Sequence, residues 1–154
     1  MTRLDCYPCA RTAELESLPP RERVFVGESW RVAHAFNTSL PGWLVVVPMR
    51  HVERFDELTD DELRELGLLL RGCSRALRTV LGCSKTYVAS FGEEVAHLHV
   101  HVIPRAHEWP PHLRGPRSFS LLAVTQDEWV PEAERDRLAQ ALGDSIRTDL
   151  DQGA

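Results

Sequence analysis

The most informative segment of this 154-residue sequence is His97-Leu98-His99-Val100-His101-Val102-Ile103-Pro104. Polar and apolar residues alternate along it, which is the pattern of a β-strand with one buried face. The pattern predicts that the side chains of His97, His99 and His101 lie on one face and that the apolar residues between them point into the core. Because a buried imidazole ring needs hydrogen-bond partners, three of them in a row indicate a functional surface rather than core packing.

Two kinds of chemistry use such a row of imidazoles, metal binding and catalysis. The first and third histidines, four residues apart on a strand, would be separated by roughly 13 Å, whereas zinc holds nitrogen ligands at about 2.0–2.1 Å. One ion can therefore bind at most two neighbouring rings, with further ligands from elsewhere. A neutral histidine can instead attack phosphorus and form a phospho- or nucleotidyl-histidine, which divides one displacement into two steps. The flanking rings could orient the nucleophile, bind phosphate oxygens or protonate a leaving group.

Length, composition and charge limit the possible classes of protein. A chain of 154 residues is long enough to form one globular domain with a core, which is predicted to span residues 1–154. Its content of 43% hydrophobic and 27% charged residues is typical of such a domain. The net charge of −5 argues against a broad nucleic-acid-binding surface but permits a small nucleotide site. No apolar run is long enough to span a membrane, and residues 1–6 lack the apolar core of a signal peptide. A cytoplasmic protein that binds neither nucleic acid nor membrane is therefore expected.

The pattern of the remaining sequence predicts an α+β fold with a mainly antiparallel sheet of about five strands. A capping box at Thr59–Glu62 begins one long helix, along which apolar residues recur at steps of three and four until Gly82 ends it. A further helix is expected after Pro131. Strands are predicted at residues 24–26, 30–36, 44–47, 85–91 and 98–103, with a last strand at 119–124 after a proline-rich loop.

The pair of cysteines in Cys6-Tyr7-Pro8-Cys9 has three interpretations: a redox pair, half of a zinc site, or two inert thiols. A redox pair of the thioredoxin type is expected beside a βαβ unit, and none surrounds this motif. A structural zinc would need two more ligands, and because the chain has no second C-x-x-C motif these would have to be histidines.

The same segments resemble a known family. The seven residues from His97 to Ile103 are similar to the signature H-x-H-x-H-x-x, with apolar x, of the histidine triad (HIT) superfamily of nucleotide hydrolases and transferases. The residues Pro41-Gly42-Trp43-Leu44-Val45-Val46-Val47-Pro48-Met49-Arg50-His51-Val52 resemble its upstream strand and loop. The resemblance covers about residues 5–105 and implies a HIT-like domain core there, with residues 106–154 as a C-terminal extension.

The resemblance implies a reaction and roles for individual side chains. His99 is expected to be the nucleophile that takes a nucleoside monophosphoryl group at its α-phosphorus, and His101 to contact the α-phosphate. The implied activity is that of a nucleotide hydrolase or nucleotidyltransferase that cleaves a phosphoanhydride or phosphoramidate bond, for example in diadenosine polyphosphates or adenosine phosphoramidates. It also implies a purine nucleotide substrate, a ribose contact from Asn37, and a homodimer with joined sheets.

The zinc-containing branch of this family is the one that the chain resembles. In that branch two N-terminal cysteines join a histidine of the upstream loop and the first histidine of the triad. The matching positions are Cys6, Cys9, His51 and His97. A set of two sulfur and two nitrogen ligands suits tetrahedral zinc, so a structural zinc ion is expected.

The chain departs from the family pattern before the triad and in the upstream block. Family members commonly have Gly-Gln before the triad and Pro-Gly-His in the upstream block, where this chain has Gly92-Glu93 and Pro41-Gly42-Trp43. A carboxylate near phosphate groups is electrostatically unfavourable. The loop between Phe91 and His97 is also shorter than in many members. Glu93 and this shortened loop motivate the alternative of a purine nucleotide-binding or interaction module with little or no catalysis.

Overall fold

A five-stranded antiparallel sheet and two long helices account for most of the regular structure. The computed structural model describes residues 6–153, so the two ends of the predicted domain, residues 1–5 and 154, lie outside the described residues. The strands are β1 (Phe25–Val26), β2 (Trp30–His34), β3 (Leu44–Pro48), β4 (Lys85–Ala89) and β5 (Val100–Arg105). The helices are α1 (Tyr7–Ala13), α2 (Asp60–Leu81) and α3 (Glu132–Gln152). The sheet order is β1-β2-β3-β5-β4, which confirms the predicted α+β fold.

The long helix α2 begins and ends where the sequence predicts. The hydroxyl of Thr59 accepts a hydrogen bond from the Glu62 backbone N–H at 3.3 Å, and the Glu62 carboxylate accepts one from the Thr59 N–H at 2.8 Å. The helix ends at Gly82, whose φ of 65° lies in the left-handed region that favours glycine. Its apolar stripe, including Leu66, Leu69 and Leu77, is buried in the main core with the C-terminal helix α3. Among residues 6–153, none of the helices is both long and apolar enough to cross a bilayer.

The two faces of the sheet have different surroundings. In β5, the side chains of Val100 and Val102 belong to the main core beneath the helices, whereas His101 lines a cavity on the opposite face. A smaller cluster of Ala35, Trp43, Ile103 and Trp109 lies on that opposite face. The alternation seen in the sequence therefore separates the core of the protein from the face that carries the histidines.

The histidine strand begins and ends two residues later than the strand predicted at 98–103. Strand β5 begins at Val100, so His97 and His99 precede it and only His101 lies within it. The regular ladder between β3 and β5 ends near Pro48, since proline has no backbone N–H to continue it. Leu98 nevertheless remains buried, and its N–H donates to the carbonyl of Val52 at 2.7 Å. The three side chains keep their alternation although the segment 97–99 leaves the sheet.

The strand predicted at residues 119–124 is wrong. The chain forms a 3₁₀ segment at Gly115–Leu121, and a single isolated bridge joins Thr38 to Leu122. The backbone N–H of Leu122 donates locally to the carbonyl of Phe119 at 3.1 Å. The apolar residues of this segment pack over the smaller cluster on the open face of the sheet, so their burial does not require a sixth strand.

Candidate functional site

Four side chains at one end of the histidine segment form a cluster that could hold a metal ion. The ligand atoms of Cys6, Cys9, His51 and His97 all lie within 4.8 Å of one another. The Sγ–Nδ1 distances are 3.3 Å for Cys6–His97, 3.3 Å for Cys9–His51 and 3.4 Å for Cys9–His97. In a tetrahedral zinc site with bonds of about 2.3 Å to sulfur and 2.0–2.1 Å to nitrogen, the sulfur-to-nitrogen distance is about 3.6 Å. These three distances are therefore close to those of an S₂N₂ tetrahedron.

The second ring nitrogen of each histidine in this metal cluster is held by an acceptor. His97 Nε2 lies 3.2 Å from the carbonyl oxygen of Pro48, and His51 Nε2 lies 3.3 Å from a carboxylate oxygen of Glu53. Since these oxygens only accept, the protons belong on Nε2 and the Nδ1 lone pairs are free to bind a metal. Burial lowers the pKa of His97 to about 4, which keeps its ring neutral, as a metal ligand must be.

The loop that carries His51 is fixed by the start of helix α2. Arg50 Nε donates to one carboxylate oxygen of Glu62 at 2.6 Å, and its terminal nitrogen donates to the other at 2.7 Å. The carboxylate of Glu62 also caps the helix at Thr59. The Arg50 hydrogen bonds hold the pKa of Glu62 at about 2, well below its usual value of 4.5. The capping box therefore stabilises both the helix and the position of a metal-cluster histidine.

A buried arginine that the sequence did not single out attaches helix α1 to the sheet. Arg31 is 2% exposed, and its Nε donates to the hydroxyl of Thr12 at 3.0 Å. Its terminal nitrogens lie 3.4 and 3.5 Å from the carbonyl oxygens of Glu22 and Pro8. Because α1 begins directly after Cys6, these contacts help to position the two cysteines. An arginine between the apolar residues Trp30 and Val32 of a strand was the sequence signal for this role.

At the other end of the histidine segment, a cavity of about 480 Å³ opens on the face of the sheet away from helices α2 and α3. Ala33, Val45 and Val47 from the adjacent strands β2 and β3 contribute to its lining, together with His99 and His101. Small-molecule sites typically measure about 300–1,000 Å³ and combine apolar walls with a few polar groups. Its volume and lining are therefore suited to a ligand of nucleotide size.

His99 presents an unprotonated nitrogen to this cavity. Its Nδ1 lies 2.8 Å from the carbonyl oxygen of His97, an acceptor, so the proton of the neutral ring is on Nδ1. The lone pair is then on Nε2. The hydroxyl of Ser90 donates to the carbonyl of His99 at 2.6 Å and fixes the backbone at this position. This arrangement is suited to nucleophilic attack on a ligand in the cavity.

His101 is enclosed by aromatic side chains. Its ring centroid lies 5.0 Å from that of His99, 5.1 Å from Phe119 and 5.8 Å from Trp43, each in an edge-to-face arrangement. The indole N–H of Trp43 donates to His101 Nδ1 at 3.0 Å. Burial and, to a smaller extent, the neighbouring His99 lower the pKa of His101 to about 4. A neutral ring at this position can donate one hydrogen bond to an anionic ligand.

The rest of the cavity includes residues that the sequence predicted and others that it did not. Asn37 and Glu93 both line the cavity, and Glu93 is exposed. The C-terminal extension supplies Phe119, Leu122 and Ala123, which the sequence marks only as part of an apolar run. The hydroxyl of Thr38 donates to the carbonyl of Leu121 at 2.8 Å and secures this segment.

Comparison with known families identifies a segment that carries most residues of both sites. A family model described as "HIT domain" matches residues 9–108, more than half of the chain. The matched range includes three of the four metal-cluster residues and both cavity histidines, and it ends before the part of the C-terminal extension that lines the cavity.

Several curated proteins are similar over the same part of the chain. The bis(5′-nucleosyl)-tetraphosphatase [asymmetrical] of Schizosaccharomyces pombe is 35% identical over 71 residues, which are 43% of this chain and 39% of that protein. The AP-4-A phosphorylase of Mycobacterium tuberculosis is 35% identical over 74 residues, or 42% of this chain and 36% of that protein. The match thus spans about two fifths of the length of these curated relatives.

Solved structures extend the similarity to the whole fold. A Zn-bound histidine triad family protein from Mycobacterium smegmatis has a TM-score of 0.68 and 18% sequence identity, and the match covers 99% of this chain and 100% of that chain. A histidine triad (HIT) protein from Sinorhizobium meliloti has a TM-score of 0.67 and 24% identity, with 86% of this chain and 93% of that chain covered. At these identities, the similarity establishes the fold.

Proposed function

Because this chain belongs to the HIT domain family, we propose that it is a nucleotide hydrolase or nucleotidyltransferase that forms a nucleotidyl-histidine on His99. The single observation that supports this proposal best is the hydrogen bond of His99 Nδ1 to the His97 carbonyl at 2.8 Å. This bond leaves the Nε2 lone pair for attack on a nucleotide in the cavity. The relatives named as a tetraphosphatase and a phosphorylase support a dinucleoside polyphosphate as substrate.

The proposed reaction has two displacements. His99 Nε2 attacks the α-phosphorus, the new N–P bond forms, and the bond from phosphorus to the leaving group breaks with its electron pair on the leaving group. Water or another acceptor then attacks the same phosphorus, the N–P bond breaks with its electron pair returning to His99 Nε2, and the nucleotide is released. When water is the acceptor, its proton passes to solvent. His101 binds an α-phosphate oxygen during both steps, and a hydrogen bond to charge that develops in the transition state contributes strongly to rate. Asn37 binds a ribose hydroxyl from the cavity wall.

We also propose that the cluster of Cys6, Cys9, His51 and His97 binds a structural zinc ion. The donor set and its near-tetrahedral distances suit zinc, and the structural relative from Mycobacterium smegmatis is described as Zn-bound. When bound, the ion supplies no chemistry to the reaction and holds the N-terminal segment against the sheet. Since the His97 carbonyl orients His99, a fixed His97 also fixes the nucleophile.

A substrate panel with detection of the adduct tests the enzymatic proposal. Diadenosine polyphosphates, adenosine phosphoramidates and nucleotidyl sulfates are incubated with the protein, and the reaction is quenched and analysed by mass spectrometry. We expect turnover of at least one substrate class and a nucleoside monophosphoryl adduct on the peptide that contains His99. An adduct on a different residue would contradict the assignment of the nucleophile.

One observation favours the alternative of a nucleotide-binding module. The exposed carboxylates of Glu93 and Glu94 line the cavity and repel a polyphosphate. A module of this kind would bind a purine nucleotide tightly and turn over none of the substrates in the panel. The same experiment therefore distinguishes the two functions.

A homodimer with joined sheets is the proposed assembly. The strand β4 is at one edge of the sheet, and its residue Val88 is 51% exposed. An unpaired sheet edge can pair with a second copy. Light scattering at several protein concentrations tests this, and a mass of one chain at all concentrations would contradict it. The cytoplasmic location stays a prediction.

A further inference from the structure

The contact between Trp43 and His101 is built into the turn that precedes strand β3. Trp43 is fully buried, and its indole N–H donates to His101 Nδ1 at 3.0 Å. The turn is held by Gly42, whose φ of 83° favours glycine and whose N–H donates to His34 Nε2 at 2.9 Å. His34 in turn bonds the carbonyl of Ala35 through Nδ1 at 2.7 Å. The indole therefore has little freedom to leave His101.

An indole nitrogen can only donate, and this property determines where the proton of His101 lies. Because Nδ1 of His101 must accept from Trp43, the proton of the neutral ring is on Nε2. Protonation of the ring would place two N–H groups against each other, which disfavours the charged form. Among residues 6–153, no protein group bonds His101 Nε2, and the side chain lines the cavity.

We propose that Trp43 is a positioning residue that keeps His101 neutral with its proton on Nε2, and that the site consequently favours leaving groups that depart as anions. This inference rests on the function proposed above and refines its substrate class. It predicts a preference for phosphoanhydride bonds over phosphoramidate bonds, which the family resemblance leaves open.

The chemical reason lies in the fate of the leaving group. When His99 attacks the α-phosphorus of a dinucleoside polyphosphate, the P–O bond breaks and the remaining nucleoside phosphate leaves with the electron pair as a stable anion. An amine that leaves a phosphoramidate must also receive a proton. A neutral imidazole donates a hydrogen bond from Nε2 but is too weak an acid to transfer that proton, and the indole of Trp43 cannot accept or relay one.

Nitrogen-15 NMR of the unmodified, ligand-free protein tests the first half of the proposal without reference to catalysis. The resonances of His101 are assigned by their absence from the His101→Gln variant. At neutral pH we expect an unprotonated Nδ1 and a protonated Nε2. A protonated Nδ1, alone or in a doubly protonated ring, would overturn the proposal.

Kinetics of Trp43 variants test the second half. The kcat/KM for diadenosine tetraphosphate is divided by the kcat/KM for adenosine 5′-phosphoramidate. Trp43→His supplies a ring that can either donate a hydrogen bond to His101 Nδ1 or accept one from it. His101 can then exist with Nδ1 unprotonated or protonated. Since general acid catalysis contributes about 10²–10⁴-fold, we expect the ratio to fall at least about tenfold in this variant. Trp43→Phe removes the hydrogen-bond donor. The NMR signals of His101 should then no longer show a single protonation state at Nδ1.

Trp109→Phe is the matched control, because Trp109 belongs to the same apolar cluster as Trp43, whereas the hydrogen bond to His101 Nδ1 comes from Trp43. It should retain the substrate ratio and the NMR signature of the unmodified protein, and melting curves confirm that all variants fold. An unchanged ratio in a folded Trp43→His protein that has both forms of His101 would overturn the leaving-group inference. Turnover of neither substrate by the unmodified protein would instead overturn the proposed function, while the NMR result still decides the role of Trp43.

Discussion

The two ends of the segment from His97 to His101 use the same residue type for different purposes. At the metal-cluster end, His97 is 1% exposed and turns Nδ1 towards two cysteine sulfurs. At the cavity end, His99 and His101 line a space for a ligand, and within residues 6–153 no cysteine contributes to its lining. The difference arises from which ring nitrogen is bonded and whether its partner accepts or donates, since these two features determine which nitrogen carries the proton. A carbonyl does this for His97 and His99, and an indole does it for His101.

The two ends are also connected through one residue. The ring of His97 belongs to the metal cluster, while its backbone carbonyl accepts the hydrogen bond that orients His99. A substitution at the cavity end should therefore leave the metal cluster intact. A substitution or loss of metal at the metal-cluster end should disturb both the metal cluster and the cavity. The following predictions test this asymmetry.

The largest effect is expected from His99→Asn, which removes the nucleophile. Turnover should fall by roughly 10⁴-fold or more, as for other enzymes that lose a nucleophile. Metal content and nucleotide affinity should stay near those of the unmodified protein, because His97 keeps its ligand position. Steady-state kinetics, metal analysis and calorimetric titration with a nucleotide measure the three quantities.

His112→Asn is the matched control for that variant, since His112 is exposed and lies outside both sites. It should have normal activity. A His99→Asn protein that retains activity within tenfold of the unmodified protein would contradict the proposed mechanism.

The next largest effect is expected from loss of the metal. Cys9→Ser or a strong chelator should release the ion, lower the melting temperature and reduce turnover, because the segment that orients His99 loses its support. A loss of several kcal/mol corresponds to a decrease in Tm of roughly 10 °C, since 1 kcal/mol shifts Tm by about 2–4 °C for a chain of this size. Metal analysis and calorimetry of the same samples provide the measurement.

Cys83→Ala provides the comparison, because Cys83 is a buried cysteine outside the metal cluster. This variant should retain bound metal. The asymmetry between the two ends would be refuted by a metal-free Cys9→Ser protein with full activity and an unchanged melting temperature.

A moderate effect is expected at His101. Removal of its hydrogen bond in His101→Ala should lower kcat by about 10²–10³-fold, the usual cost of losing one donor to a developing oxyanion. His101→Gln should recover part of this loss, because its amide can donate near the position of Nε2. Parallel measurements should show that kcat decreases in the order unmodified protein, His101→Gln, His101→Ala. Equal activity of the two variants would argue against a role of His101 as a hydrogen-bond donor.

The smallest effect is expected from Glu62→Gln, which weakens the support of the His51 loop. The pKa of Glu62 is lowered from 4.5 to about 2, so the unfolded chain binds this proton more tightly than the folded protein does. Its contribution to stability is therefore complete above about pH 4.5 and is lost as the pH falls towards 2. At neutral pH, we expect the variant to lose about 1 kcal/mol, as for other capping residues.

Denaturant unfolding at several pH values measures this contribution. The difference between the unmodified protein and Glu62→Gln should shrink as the solution becomes more acidic, while nucleotide affinity at the cavity end stays the same at neutral pH. A difference that grows with acidity would have the wrong sign.

The sequence by itself determined much of the fold and the identity of the candidate ligands. Alternation from His97 to His101 placed the histidines opposite the apolar residues, because side chains of an extended chain alternate whether or not the backbone is paired. The capping box at Thr59–Glu62 and the glycine at position 82 predicted the bounds of α2 from local hydrogen bonding and backbone freedom. The resemblance supplied the four metal-cluster residues, which the structure brings within 4.8 Å.

Only the tertiary structure decided what each nitrogen faces. The start of β5 at Val100 and the non-strand form of residues 119–124 depend on which neighbouring chain offers donors and acceptors, and a local pattern does not contain that information. For the same reason, the sequence did not predict the contact of Trp43 with His101, which joins residues 58 positions apart. Sequence periodicity specifies the direction of a side chain, whereas the proton position of an imidazole depends on a partner brought near by folding.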